Sequence, residues 1–212
     1  MLDQKDKISC DYLPFSHYDV IPEVVKIKTA KSYLEIGCAD DGCFSKVHAD
    51  IKVGVDPQRG GTHRMTSDEF FDTNTQKFDV IFIDGMHTHQ QVMKDFQNAK
   101  RHTDADGVIL FHDVLPDNRY TAWPTKKSRP KRKDIVAWNG DVWRINFDLL
   151  EMPGVDYRMI PNLHGVGVLK FGGGQEMKFD GKDSSWEFFQ GNWKRIPTLR
   201  SIDEIKFFLD RL

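Results

Sequence analysis

Short apolar runs alternate along this chain with stretches whose apolar residues recur every three or four positions. The first run, Ser32-Tyr-Leu-Glu-Ile-Gly37, predicts a strand over 32–37, with a helix over 41–48 behind it. Ile51-Lys-Val-Gly-Val-Asp56 predicts a second strand, and residues 63–66 a short third one. Ser67-Asp-Glu-Phe-Phe71 opens a short helix that Ser67 can cap. Phe78-Asp-Val-Ile-Phe-Ile-Asp84 is apolar nearly throughout, as a strand buried on both faces requires. A helix over 88–102 follows, with Val92, Phe96 and Ala99 on one face, and then Gly107-Val-Ile-Leu-Phe-His-Asp113 as a fifth strand. Such alternation predicts an α/β chain with a mainly parallel sheet and right-handed crossovers.

After Pro116 the pattern changes. Residues 117–137 lack an apolar period and read as a mobile loop inserted in the domain. A helix returns over 141–150, and residues 157–160 and 166–171 read as an antiparallel strand pair. Gly172-Gly-Gly174 then divides a domain over 1–171 from a helical tail over 172–212 packed on the same domain. In that tail Ser201-Ile-Asp-Glu204 is a capping box before Ile205, Phe208 and Leu209, an apolar stripe for packing or for contact with another copy in a homo-oligomer. Upstream, residues 10–30 read as a lead-in segment and a short helix across the edge of the ligand cleft.

The first turn carries chemistry. Strand, glycine turn, helix, strand and terminal acid is how open α/β sheets receive an adenosine-containing cofactor, and Gly37 to Asp56 spans the roughly twenty residues of one such unit. A dinucleotide would place its pyrophosphate at the turn. Here the turn is Gly37-Cys-Ala-Asp-Asp-Gly42, without the G-x-G-x-x-G spacing and with Asp40 and Asp41 where phosphates would go. Like charges a few ångströms apart cost roughly 1–4 kcal/mol at effective dielectric constants of about 80 to 20. S-adenosylmethionine, with a sulfonium, an ammonium and no phosphate, suits this turn better. The plain structural reading is a Gly/Asp turn with Asp41 as a helix N-cap.

Composition narrows the class. The 212 residues suit one decorated α/β domain, and 30 Lys+Arg against 32 Asp+Glu give no pull toward nucleic acid or membrane. Three cysteines without metal spacing read as reduced thiols of a cytoplasmic protein, and Cys38 and Cys43 as small packing residues beside the turn. No signal core or membrane-length run is seen.

Taken in order, Tyr33-Leu-Glu-Ile-Gly37, Val53-Gly-Val-Asp-Pro57, Met65-Thr-Ser-Asp-Glu-Phe-Phe71, Phe78-Asp-Val-Ile-Phe-Ile-Asp-Gly-Met-His87, Gly107-Val-Ile-Leu-Phe-His-Asp113 and Trp138-Asn-Gly-Asp-Val-Trp143 resemble class I S-adenosylmethionine-dependent methyltransferases. The likeness covers roughly residues 30–170 and is greatest to a small bacterial branch with Asp-Gly-x-His and His-Asp elements, similar to sugar and catechol-type O-methyltransferases. It implies a Rossmann-like fold with a seven-stranded sheet, an antiparallel last strand and helices on both faces. It implies that Glu35 and Gly37, with the adjoining Cys38, border the methionine end of the donor. Asp56 takes the ribose, and Ser67 and Asp68 lie at the adenine. Asp41 departs from the family, standing where many relatives carry glycine.

The strand ends supply the remaining chemistry. Asp84, His112 and Asp113 end neighbouring strands, so their side chains can converge, with Asp84 between donor and acceptor. Methyl transfer to oxygen needs alignment and a proton acceptor, for which His87, His89 and His112 are candidates, although His89 opens a helix and reads as exposed. Asp84, His112 and Asp113 can also hold a divalent ion, Mg²⁺ or another, that chelates a diol and lowers its hydroxyl pKa. The bland alternative for Asp113 is a cap on the turn before Pro116. His17, His48, His63, His102 and His164 read as surface or packing residues.

The run Lys126-Lys-Ser-Arg-Pro-Lys-Arg-Lys133 is either a solvated loop or a lid that recruits an anionic acceptor. Nucleic acid is disfavoured, because the run has no interleaved aromatics. The expectation is a methyltransferase acting on a hydroxyl of a small molecule or sugar. The rivals are a metal-dependent hydroxylase-like enzyme on the same fold and a non-catalytic module that binds the donor or nucleic acid.

Overall fold

The computed structural model describes residues 2–174 and 176–210. Its six strands, counted among the described residues, are β1 (Ser32–Ile36), β2 (Ile51–Val55), β3 (Phe78–Ile83), β4 (Thr103–Leu115), β5 (Val155–Ile160) and β6 (His164–Phe171). They form one sheet in the order β2-β1-β3-β4-β6-β5. The first four pair parallel, and β6, the last in sequence, runs antiparallel to both β4 and β5. The strand order reverses between β1 and β3, which leaves a crevice at their carboxyl ends.

Period-two alternation sends side chains to two helical layers. On one face Leu34, Ile36, Ile81, Ile83, Ile109 and Phe111 pack under α2 (Ser67–Thr73), α3 (His89–His102) and α4 (Ile145–Leu150). On the other, Tyr33, Val80, Phe82, Val108, Leu110, Val166 and Val168 pack under α1 (His17–Ile27) and α6 (Ile202–Asp210). The tail also carries α5 (Trp186–Asn192), where Phe188 sets its ring 4.9 Å from that of Phe147 in α4. The stripe on α6 is therefore spent within the chain, Ile205, Phe208 and Leu209 being buried with α1.

Four expectations need correction. Residues 41–48 form no α-helix. Ala39 and Asp41 are left-handed, with φ of 48° and 61°, which breaks a right-handed helix at its start. Only the 3₁₀ turn Phe44–Lys46 forms, and Lys52 Nζ caps the carbonyls of Phe44 and Val47 at 2.6 and 3.0 Å. Asp41 caps no helix, because its Oδ1 accepts from Gly61 N at 2.6 Å. Residues 63–66 make no strand but a single bridge from His63 to Val55, so among the described residues the sheet has six strands, not seven. The cap of α2 is Thr66, not Ser67: Thr66 Oγ1 accepts from Glu69 N and Thr66 N donates to Glu69 Oε2.

Glu35, central in β1, is 1% exposed and accepts from the Tyr33 hydroxyl at 2.5 Å. Burial pushes its pKa up to about 7, the Tyr33 bond opposing and Asp84 and Asp41 adding. Between pH 4.5 and about 7 the unfolded chain loses this proton while the folded chain keeps it, so stability falls as pH rises through that window. Glu35→Gln should therefore gain stability relative to wild type as pH rises from 4.5 to 8, by up to roughly 3 kcal/mol. Urea unfolding at both pH values checks this, and a difference independent of pH refutes it.

Candidate active site at the strand ends

β1 and β3 are in register through Ile36 and Ile83, and β4 matches them at Phe111. Gly37, Asp84 and His112 are therefore the next residues side by side. Gly37 has φ of 91°, and a Cβ there would lie 2.1 Å from the Asp84 carbonyl oxygen, so only glycine fits. Beyond His112 the β4–β6 register slips, pairing Leu115 with His164. This bulge holds Asp113 at φ of 62°, a strained conformation for a residue with a side chain.

The four sequence candidates for catalysis meet here. His112 Nδ1 lies 3.1 Å from Asp84 Oδ1, and His87 Nε2 lies 3.7 Å from the same oxygen. His87 Nδ1 donates to the Trp138 carbonyl at 2.7 Å and sits 2.9 Å from Asp113 Oδ2. Asn139 Nδ2 donates to Asp113 Oδ1 at 2.7 Å, so Asp113 belongs to this cluster rather than merely capping the turn before Pro116. Gly140 closes the arrangement: at φ of 64°, a Cβ there would fall 1.7 Å from the His87 carbonyl oxygen.

Charge and burial set the protonation of these groups. Burial opposes charge on His87, but Asp113, Asp84 and the Trp138 carbonyl outweigh it and lift the imidazole to about 9. His112 rises for the same reason, burial being overcome by Asp84 and Asp113. Burial also works against the Asp113 carboxylate, and the two imidazoles still hold it below its ordinary value. His17 moves the other way, to about 4, through burial and the neighbouring His112.

The cleft has a volume of about 800 Å³. Of the donor-site residues, Gly37, Asp56, Ser67, Asp68 and Asp84 line it. Asp56 Oδ1 accepts from Gln58 N and Arg59 N at 2.7 and 2.9 Å, and its Oδ2 from Ala39 N at 3.0 Å. Burial raises this carboxyl, but the three amides and Arg64 hold it below its usual range. Three of its roughly four acceptor positions are filled, leaving one on Oδ2. Beside it Gln91 Nε2 bridges Ser67 Oγ, Asp68 Oδ1 and Asp95 Oδ1 at 3.3, 3.4 and 3.1 Å.

Glu35 and Cys38 are not among the lining residues. Glu35 points into the α1 face with Tyr33, and Cys38 packs its sulfur beneath Gly54 and Gly61. Asp40 and Asp41 do not line the cleft either, so its negative character comes from Asp56, Asp68, Asp84 and Asp113. His89 is outside as well, paired through Nε2 with Asp148 at 2.5 Å.

Two lining histidines, His17 and His164, escaped the sequence reading. His17 was legible in principle. Ser16 N and Oγ both donate to Asp19 Oδ2, which starts α1 at His17, and Val20 and Ile21, three and four residues on, share its face and are buried. Within the basic run Lys126 lines the cleft. Arg129 turns back to the carbonyls of Ile135 and Ala137, and Arg132 pairs with Asp134 at 2.9 Å.

Sheet order and strand-end cleft define a Rossmann-like fold. Residues 34–114 match the model of a methyltransferase domain family. That segment, with the strand-end cleft above it, is similar to a methyltransferase domain. Among solved structures it is similar to the O-methyltransferase TomG from Streptomyces achromogenes, involved in tomaymycin synthesis, in complex with S-adenosylmethionine. That match has 16% identity and a TM-score of 0.55, covering 76% of this chain and 82% of that one. It is also similar to the S-adenosylhomocysteine-bound methyltransferase PaMTH1 of Podospora anserina, at 17% identity and TM-score 0.50, over 71% of this chain and 76% of that one. An O-methyltransferase from Bacillus cereus in complex with S-adenosylhomocysteine matches at 13% identity and TM-score 0.50, over 76% and 84%. Among curated protein sequences no relative matches. Among the described residues no helix is long and apolar enough to cross a membrane.

Gly140→Ala should cost several kcal/mol or displace the 138–140 segment, because both its φ and the His87 carbonyl exclude a methyl group. A melting temperature within about 2 °C of wild type would contradict this, given the roughly 2–4 °C per kcal/mol of a domain this size.

Proposed function

We propose that residues 1–171, with the tail 172–212 packed on them, transfer the methyl group of S-adenosylmethionine to a hydroxyl of a small molecule or sugar. The observation that carries this reading is one cleft holding both halves of the reaction: Gly37, Asp56, Ser67 and Asp68 adjoin Asp84, His87, His112 and Asp113. The donor lies across the switch point, its ribose at Asp56 and its adenine at Ser67, Asp68 and Gln91. The sulfonium faces Asp84. Four lining carboxylates favour a cationic nucleoside over a pyrophosphate.

The acceptor oxygen then sits at the strand-end cluster, in line with methyl and sulfur. Its proton passes to Asp84, and Asp113, held by Asn139, orients His87. A divalent cation also suits this cluster, since Asp84 shares donor atoms within 4.8 Å with His17 and His112 and, in a second group, with His87 and Asp113. Asp84, His112 and Asp113 would hold it, and when bound it supplies Lewis acidity toward the acceptor hydroxyl. Lys126, on the rim with Arg59, favours an anionic acceptor.

Calorimetry with S-adenosylhomocysteine should show one site per chain, weakened at least tenfold in Asp68→Ala and in Asp56→Asn. NAD should not compete for it. Unchanged binding in both variants, or displacement by NAD, refutes the donor assignment. With an acceptor in hand, Asp84→Asn should lower kcat by roughly a hundredfold or more while S-adenosylhomocysteine still binds.

A further inference from the structure

If the reaction is metal-assisted as proposed, the donor atoms of this cluster decide which cation it selects. Two groups of side chains converge at the strand ends, His17 with Asp84 and His112, and Asp84 with His87 and Asp113. Within each group the donor atoms lie within 4.8 Å of one another, and Asp84 belongs to both. The His17 and His112 rings are 4.0 Å apart between centroids. His112 Nε2, on a side chain 8% exposed, has no hydrogen-bond partner. A buried polar atom left so is destabilising unless a ligand completes it. Asp113 Oδ2, equally enclosed, has no hydrogen-bond partner and only the ion-pair contact with His87.

His17 reaches this site through helix geometry. It occupies the first position of α1, on the same face as Val20, Ile21 and Val24. These residues are between 0% and 1% exposed, seated on the sheet under α6. Burying that stripe delivers the imidazole to the carboxyl ends of β3 and β4. A helix that precedes the sheet in sequence thus adds nitrogen to a site that strand-end acids alone would make oxygen-only.

We propose that the cluster is a site for a divalent transition-metal ion of borderline softness, with His17 as a ligand beside Asp84 and His112, and that its imidazoles select against Mg²⁺. Mg²⁺ takes near-octahedral oxygen and gives up water reluctantly. Imidazole suits zinc, iron, nickel and, by the same ordering, cobalt. Two or three imidazoles beside one or two carboxylates belong to the second group.

The test uses the full chain, stripped with chelator, without donor or acceptor. Co²⁺ should bind at one equivalent with visible d–d absorption, and Mg²⁺ should displace it only at a hundredfold excess or more. His17→Gln should weaken Co²⁺ at least tenfold and alter the spectrum. His17→Glu, which replaces nitrogen by oxygen, should lower the Co²⁺ over Mg²⁺ preference at least tenfold. Melting of the metal-free variants shows that they fold. No stoichiometric Co²⁺, Mg²⁺ competing at equal concentration, or a folded His17→Glu with an unchanged preference overturns the proposal. S-adenosylhomocysteine calorimetry on the stripped protein reports on the donor site alone. If Co²⁺ binds but S-adenosylhomocysteine does not, the methyltransferase reading falls and the metal site stands; if S-adenosylhomocysteine binds but Co²⁺ does not, the metal site falls and the donor site stands.

Discussion

The structure depends on one close approach. β1 and β3 stop at the same level, and Gly37 lies so near the Asp84 carbonyl that a methyl group has no room. Gly37 N donates to Val55 O and Asp84 N to Ile36 O, each at 2.8 Å, which ties three strand ends together just before they diverge. From that point the chain after β1 turns toward Asp56 and the chain after β3 toward His87. The crevice between them is the cleft. The backbone hydrogen bonds that make a parallel sheet therefore also decide where the polar groups of the site fall.

Losing a helix in the first crossover has a consequence elsewhere. Between β1 and β2 the chain has only turns and one 3₁₀ segment, which cannot cover a sheet face. Val80, Phe82, Val108 and Leu110 would be left wet, at about 1.5–3 kcal/mol for each large side chain. Segments from the two ends of the chain, α1 and α6, cover them instead. Through α1, this repair of the hydrophobic face also brings His17 and Tyr18 to the cleft.

Charge in the cleft is distributed, not local. The acids of the first turn, Asp40 and Asp41, look decisive along the sequence, yet Asp41 is engaged with the 57–61 loop. Four other carboxylates from four segments line the cleft, and they raise the pKa of the imidazoles His87 and His112 beside them. Such a cluster is expensive to bury unless its members pair, and Asn139 and the Trp138 carbonyl complete the pairing.

The α/β class and the places of the strands along the chain, that at 63–66 excepted, were legible in the sequence, because buried strands need unbroken apolar runs and their helices need a 3.6 period. Gly37, Asp56, Asp84, His87, His112 and Asp113 were legible too, since a parallel sheet brings its carboxyl ends to one edge wherever its strands stop. What the sequence could not determine was the direction of single side chains and the fate of marginal segments. Glu35 turns inward because strand alternation puts it on the α1 face with Tyr33. The 41–48 stretch fails as a helix because Ala39 and Asp41 are held left-handed, Asp41 by its bond to Gly61, twenty residues away. His17, His164 and Asn139 are far apart in sequence and look ordinary in it. The start of α1 and the face that His17 takes are local, but only the docking of α1, the β4 bulge and the Gly140 turn brings the three together, and those are long-range contacts.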